Sequence, residues 1–140
     1  MSVLDLDALL WSHARASLAR SGLSTPGALA RLLEVIRAGE GLGAASRAAV
    51  LDALQKPKAR PLTAGVPAGT QVASKPGELE GIRVDAGLVL VPDPYVLVMM
   101  CARLRDEGQG ERAIEAASRA AYAYFTRLAA GGDYGRLIPR

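Results

Sequence analysis

Ile82-Arg83-Val84-Asp85-Ala86-Gly87-Leu88-Val89-Leu90-Val91, then Pro92-Asp93-Pro94, then Tyr95-Val96-Leu97-Val98-Met99-Met100-Cys101-Ala102: two apolar runs stand three residues apart. Each is rich in valine, leucine or methionine, and each is too short for a typical helix. A turn that short joins antiparallel neighbours, so Ile82–Val91 and Tyr95–Ala102 predict a paired sheet. The second run is apolar on both faces, as expected of a strand covered from both sides. Upstream, Thr70–Ser74 alternates around Val72 and predicts a further strand, which Pro76-Gly77 is expected to break. The turn back to Ile82 is placed at about Gly77–Gly81.

Outside this sheet the period is helical. Leu6, Leu9, Leu10, Ala14 and Leu18 predict a helix over Asp5–Ala19, stopped by Gly22. Ser24 or Thr25 followed by Pro26 is an N-terminal capping signal, and Leu29, Leu32, Leu33 and Ile36 run from it to Gly39. A third helix is predicted from Ala44 to Gln55. Lys56–Gly69, with three prolines and two glycines, reads as a loop with one helical turn around Leu62–Ala64. Arg103–Gly110 reads as a charged loop and Glu111–Leu128 as the last helix, ended by Gly131-Gly132. Helices, a hairpin-linked sheet and a closing helix define an α+β fold: an antiparallel sheet of about three strands packed with helices. Three regions are expected: a helical segment over 1–22, a main unit over 23–130 and a tail over 131–140.

Composition narrows the function classes. The chain has 140 residues, half of them hydrophobic and 22% charged, which suits one domain with a real core and excludes a disordered chain. The formal net charge is +3, with the basic residues scattered, so no nucleic-acid module is expected. No run is long enough for a membrane helix, and Met1–Asp7 shows early acids where a secretory signal needs bases. One cysteine and one histidine leave no disulfide framework and no metal site; no cofactor is expected. Cys101 ends an apolar strand and reads as an inert thiol, and His13 as a solvated or satisfied helix residue.

One region suggests a ligand. A strand ends in Lys75, Gly77 permits close approach to the backbone, and Arg83 returns on the next strand. Both cations can reach one mouth at the sheet edge and bind a carboxylate; two solvated bases beside a turn explain them equally well. Glu78 and Glu80 can be read as paired carboxylates sharing a face, or simply as solvated.

Several motifs add up in order. They are Ser24-Thr25-Pro26 before Leu29-Ala30-Arg31-Leu32-Leu33, Ala45-Ser46-Arg47 before Val50-Leu51-Asp52-Ala53-Leu54, Ala64-Gly65-Val66-Pro67-Ala68-Gly69, and Lys75-Pro76-Gly77 followed by Arg83 and Asp85. From about Leu23 to Leu128 the chain resembles the C-terminal part of the class A serine β-lactamases, the penicillin-recognising serine hydrolases. Lys75-Pro76-Gly77 sits where that family has Lys-Thr-Gly or Lys-Ser-Gly. The resemblance implies a substrate-binding edge. On it, Lys75 and Arg83 hold a substrate carboxylate, and Glu78 occupies the position whose backbone N–H completes an oxyanion hole. Pro76 stands where a hydroxyl would bond that carboxylate.

The resemblance is incomplete. None of the three lysines, Lys56, Lys58 and Lys75, has a serine three residues before it, so Ser-x-x-Lys is absent. The chain has no asparagine, so Ser-Asp-Asn is absent too, and no omega-loop Glu precedes Ser24. No catalytic residue is assigned. A fragment or degenerate member, inactive alone, is expected; the other reading is a binding or interaction domain using the Lys75/Arg83 pocket or the strand Tyr95–Ala102. The family's N-terminal strands, which would lie beside Tyr95–Ala102, have no counterpart here. That edge is expected to be covered by a second copy in a homodimer, by Met1–Arg20, or by a separate N-terminal half. Members of that family are usually periplasmic or secreted; localisation stays open.

Overall fold

The computed structural model describes residues 24–56 and 60–131. The helix expected over Asp5–Ala19, the tail after Gly131, His13 and Lys58 lie outside the described residues. Seven elements follow in order: α1 (Pro26–Ala38), α2 (Ala44–Gln55), α3 (Pro61–Ala64), β1 (Val72–Leu79), β2 (Ile82–Val89), β3 (Tyr95–Cys101) and α4 (Glu107–Ala130).

α1 starts as the sequence demands. Thr25 is extended and its Oγ1 accepts from the Ala28 N–H at 3.1 Å, with Pro26 in the first turn. Gly39 ends it in the left-handed region at φ 75°. Arg47 of α2 then donates to the Ile36 and Arg37 carbonyls, satisfying the orphan C-terminal acceptors of α1 and fixing the two helices together.

The sheet is β1-β2-β3, antiparallel throughout. Its register sorts side chains to two faces. On one, Ala73, Ala86 and Leu88 meet Leu29, Leu33 and Ile36 of α1 and Leu51 and Leu54 of α2. On the other, Val72, Val89 and Tyr95 meet Leu62 and Val66 around α3 and Ile114 and Phe125 of α4. Helices therefore cover both faces, which is why β2 and β3 read as continuous apolar runs rather than alternating ones. α1 lies over β3 and α2 over β1; opposite them, α3 lies over β1 and β2, and α4 over β2 and β3. Tyr95 stacks on Phe125 with ring centroids 4.4 Å apart, and burial pushes its phenol up to about 12.

Two boundaries differ from the sequence reading. β1 does not stop at Ser74 but runs through Pro76-Gly77 to Leu79, and the turn is Glu80-Gly81, with Gly81 at φ 68°. The register explains why proline is tolerated. The Leu90 N–H donates to the Gln71 carbonyl at 2.9 Å, so residues 73, 75, 77 and 79 bond to β2 while 74, 76 and 78 point outward. Pro76 therefore lacks only an N–H that would face the open edge, and no ladder bond is lost. The last helix begins at Glu107, four residues earlier than expected. Asp106 caps it by accepting from the Gly108 N–H at 3.0 Å. Gly110 is required inside this helix, because a Cβ there would lie 2.5 Å from Leu104 and 3.2 Å from Arg83.

Candidate functional site

The edge strand β1 carries the residues singled out above. Lys75 is exposed, on the face that α1 and α2 cover, and its Nζ donates to the Pro76 carbonyl at 2.7 Å. Glu78 lies on the opposite face. Its backbone N–H and C=O point away from β2 to the open edge, so the edge offers a donor at Glu78 and acceptors at Pro76 and Glu78. Gly77 sits between them, and a Cβ there would make only ordinary contact with Val84.

Arg83 does not join Lys75. Lys75 pairs with Ala86 and Arg83 pairs with Glu78, so the two cations project from opposite faces of the sheet. Arg83 is also engaged. It donates to Glu107 and, at 3.1 Å, to Glu111, both on α4, and to the Leu79 and Ile82 carbonyls at 3.0 and 2.9 Å. Glu111 and Glu107 hold its guanidinium above the ordinary arginine value against the burial that lowers it. Glu107 further accepts from the Gly81 N–H, and the Leu104 N–H donates to the Gly81 carbonyl. Arg83 thus clamps the hairpin tip to the start of α4. The single Lys75/Arg83 mouth expected from the sequence does not form. Glu78 and Glu80 do not pair either, since Glu80 lies in the turn. We expect Arg83→Gln to lower the melting temperature, and the wild-type advantage to shrink as salt is raised, because the carboxylates of the clamp are half exposed. Thermal denaturation at low and high ionic strength checks this.

Behind β1 lies a polar cluster that the sequence did not announce. Asp85, fully buried on β2, accepts from the Leu62 N–H at 3.1 Å, and the Ser118 hydroxyl on α4 donates to the Leu62 carbonyl at 2.7 Å. The short helix α3 is therefore pinned from the sheet and from α4 at one residue. Arg60, also buried, donates to the Leu54, Lys56 and Val72 carbonyls, tying the end of α2 to the start of β1. Burial pushes the Asp85 carboxyl up; the Leu62 N–H, the Ser74 hydroxyl and the Arg60 charge pull it down without cancelling that rise. These groups hold the segment that delivers Lys75 to the edge. A cleft of about 400 Å³ opens beside them, lined by Glu78, Glu111, Glu115, Arg60 and Arg112 among others. Its mixed charge does not select a carboxylate.

Among the described residues no group of His, Cys, Asp and Glu is arranged to hold a metal ion, and no helix is long and apolar enough to cross a membrane. Four serines lie among the described residues. Ser118 is bonded to Leu62, Ser74 is buried beside Asp85, Ser24 is exposed just before α1, and Ser46 is exposed on α2.

A lysine on an edge strand, an outward backbone donor three residues on, and helices on both faces of an antiparallel sheet agree with a β-lactamase-like fold. Residues 7–125 match the Beta-lactamase enzyme family, and the chain belongs to that family. PBP-A is similar over 74% of this chain at 33% identity, with a TM-score of 0.69. A variant of the last common ancestor of Gram-negative bacteria class A β-lactamase is similar over 76% at 28% identity, with a TM-score of 0.66. A β-lactamase from Sphaerobacter thermophilus is similar over 84% at 27% identity, with a TM-score of 0.63. The chain spans only 40%, 43% and 42% of those three chains, so it corresponds to less than half of each. No curated protein matches it.

Proposed function

We propose that these residues form the strand-and-helix part of a serine β-lactamase-like unit and carry no acylation chemistry by themselves. One observation supports this most: no serine precedes any of the three lysines at the required spacing, and the lysine on the edge, Lys75, bonds to a backbone carbonyl rather than to a hydroxyl. Acyl transfer needs an activated nucleophile, and an oxyanion donor without one only binds. A PBP-A mutant forms an acyl-enzyme complex with penicillin G, which makes penicillin G the natural probe. After long incubation with it, the intact mass of the chain is expected to stay at 14.6 kDa. A stable adduct of one penicillin per chain would overturn the proposal.

The outward Glu78 N–H beside exposed Lys75 favours one further reading, a non-covalent site for a small carboxylate at this edge. Here Arg83 contributes nothing directly, since Glu107 and Glu111 occupy it.

A further inference from the structure

We infer that the cleft between the end of α2, the short helix α3 and the start of β1 binds a phosphate-type oxyanion. This cleft measures about 190 Å³. Lys56 reaches it from the end of α2, Thr63 from α3, and Thr70 and Gln71 from the residues before β1. Arg60, only 7% exposed, stands in its wall, and Val72 is the one apolar lining side chain among the described residues. A water takes about 30 Å³, so the space admits a polyatomic ion.

The charges there are of one sign. Among the described residues the lining holds two cations and no acid, and no ion pair includes Lys56 or Arg60. Asp52, one turn before Lys56 on α2, is not paired with it. Pro57-Lys58-Ala59, which join Lys56 to Arg60 in sequence, contain a further cation and no acid. Asp85, whose carboxyl the Arg60 charge stabilises, is buried on β2 and does not line the cleft. The carbonyls that end a helix would ordinarily repel an anion. Arg60 removes that obstacle, because its terminal nitrogens donate to the Leu54 and Lys56 carbonyls of α2 and to the Val72 carbonyl. Its Nε–H is buried without a partner, so its charge is only partly met by protein acceptors.

The donors select the ligand. Arg60 spends its fork on carbonyls, which leaves Lys56 as a point charge beside the Thr63 and Thr70 hydroxyls and the Gln71 carboxamide. An ammonium among neutral donors suits a compact anion with acceptor oxygens on every side. A carboxylate brings two oxygens on an apolar stem, and the lining offers that stem little besides Val72. Lys75 is not part of this cleft, so the site is separate from the sheet edge and from any acyl chemistry.

Titration of the ¹⁵N-labelled 140-residue chain with sodium phosphate at constant ionic strength, followed by amide chemical shifts, tests this. Saturable shifts are expected at Thr63, Thr70 and Gln71, with Gly77 and Glu78 unmoved. Lys56→Gln changes an exposed side chain and is expected to weaken binding roughly tenfold, with the circular dichroism unchanged. Lys75→Gln is expected to leave binding as it is. Glycerol phosphate separates the two sources of this chemistry: binding of both probes supports a site open to phosphomonoesters, and binding of inorganic phosphate alone a site for the free ion. Shifts that never saturate, shifts centred on Lys75–Glu78, or a Lys56→Gln variant that binds phosphate as tightly as the wild type would overturn the inference.

Discussion

Gly65→Ala is expected to destabilise the protein by about 3 kcal/mol or more, lowering the melting temperature by roughly 10 °C. Gly65 closes α3 with an ordinary right-handed backbone, so its need for glycine is not conformational. A Cβ there would lie 2.4 Å from the Glu115 carbonyl oxygen and 2.5 Å from the Ser118 Cβ. Neither is the movable end of a side chain. Relief requires α3 to move off α4, which breaks the Ser118–Leu62 bond and opens the cluster around Leu62 and Ile114. Gly27→Ala is the control. Its Cβ meets nothing within 4 Å, and in the first turn of α1 alanine is the better helix former, so an unchanged or higher melting temperature is expected.

Asp85→Ala is expected to cost about as much, roughly 3 kcal/mol. It leaves the buried Leu62 N–H without an acceptor and Arg60 without the nearby negative charge. Asp85→Asn keeps an acceptor and separates charge from hydrogen bonding through pH. In the folded chain burial raises the Asp85 carboxyl above the ordinary aspartate value of 3.8. Between that value and the raised one, the folded state holds more protons than the unfolded state. The contribution of this group is therefore most favourable below about 3.8 and declines as pH rises through the folded value. The stability of the wild type relative to Asp85→Asn should grow as pH is lowered from neutrality toward 4, measured by urea denaturation at each pH. A constant difference would show that the carboxyl does not titrate differently on folding.

How much of this was legible depended on whether the signal was local. Thr25, Pro26 and Gly39 marked both ends of α1 because capping is decided within a turn of the helix. β2 and β3 were visible as apolar runs, and the ordered motifs led to the family to which the chain belongs. The Lys75/Arg83 mouth was not legible because it hung on the parity of one turn. A five-residue turn over Gly77–Gly81 sets Lys75 directly opposite Arg83. The two-residue turn Glu80-Gly81 shifts the register by an odd number and sends them to opposite faces. The strand through Pro76 was hidden because only the register reveals which way its nitrogen points. The first turn of α4 was hidden by Gly108 and by Gly110, the second of which is there for close packing on Leu104 and Arg83 rather than as a break. Arg60 gave no signal at all, since its partners are backbone carbonyls brought together only by the fold.

Whether the chain is acylated is read most simply by chromatography of the folded protein after exposure to a fluorescent penicillin, followed by denaturation of the eluted protein. A folded species that carries no label once denatured is expected, since no serine stands three residues before a lysine in this sequence. Label that coelutes with the folded chain and survives denaturation would overturn the proposed function, because it would require a nucleophile outside any Ser-x-x-Lys pair.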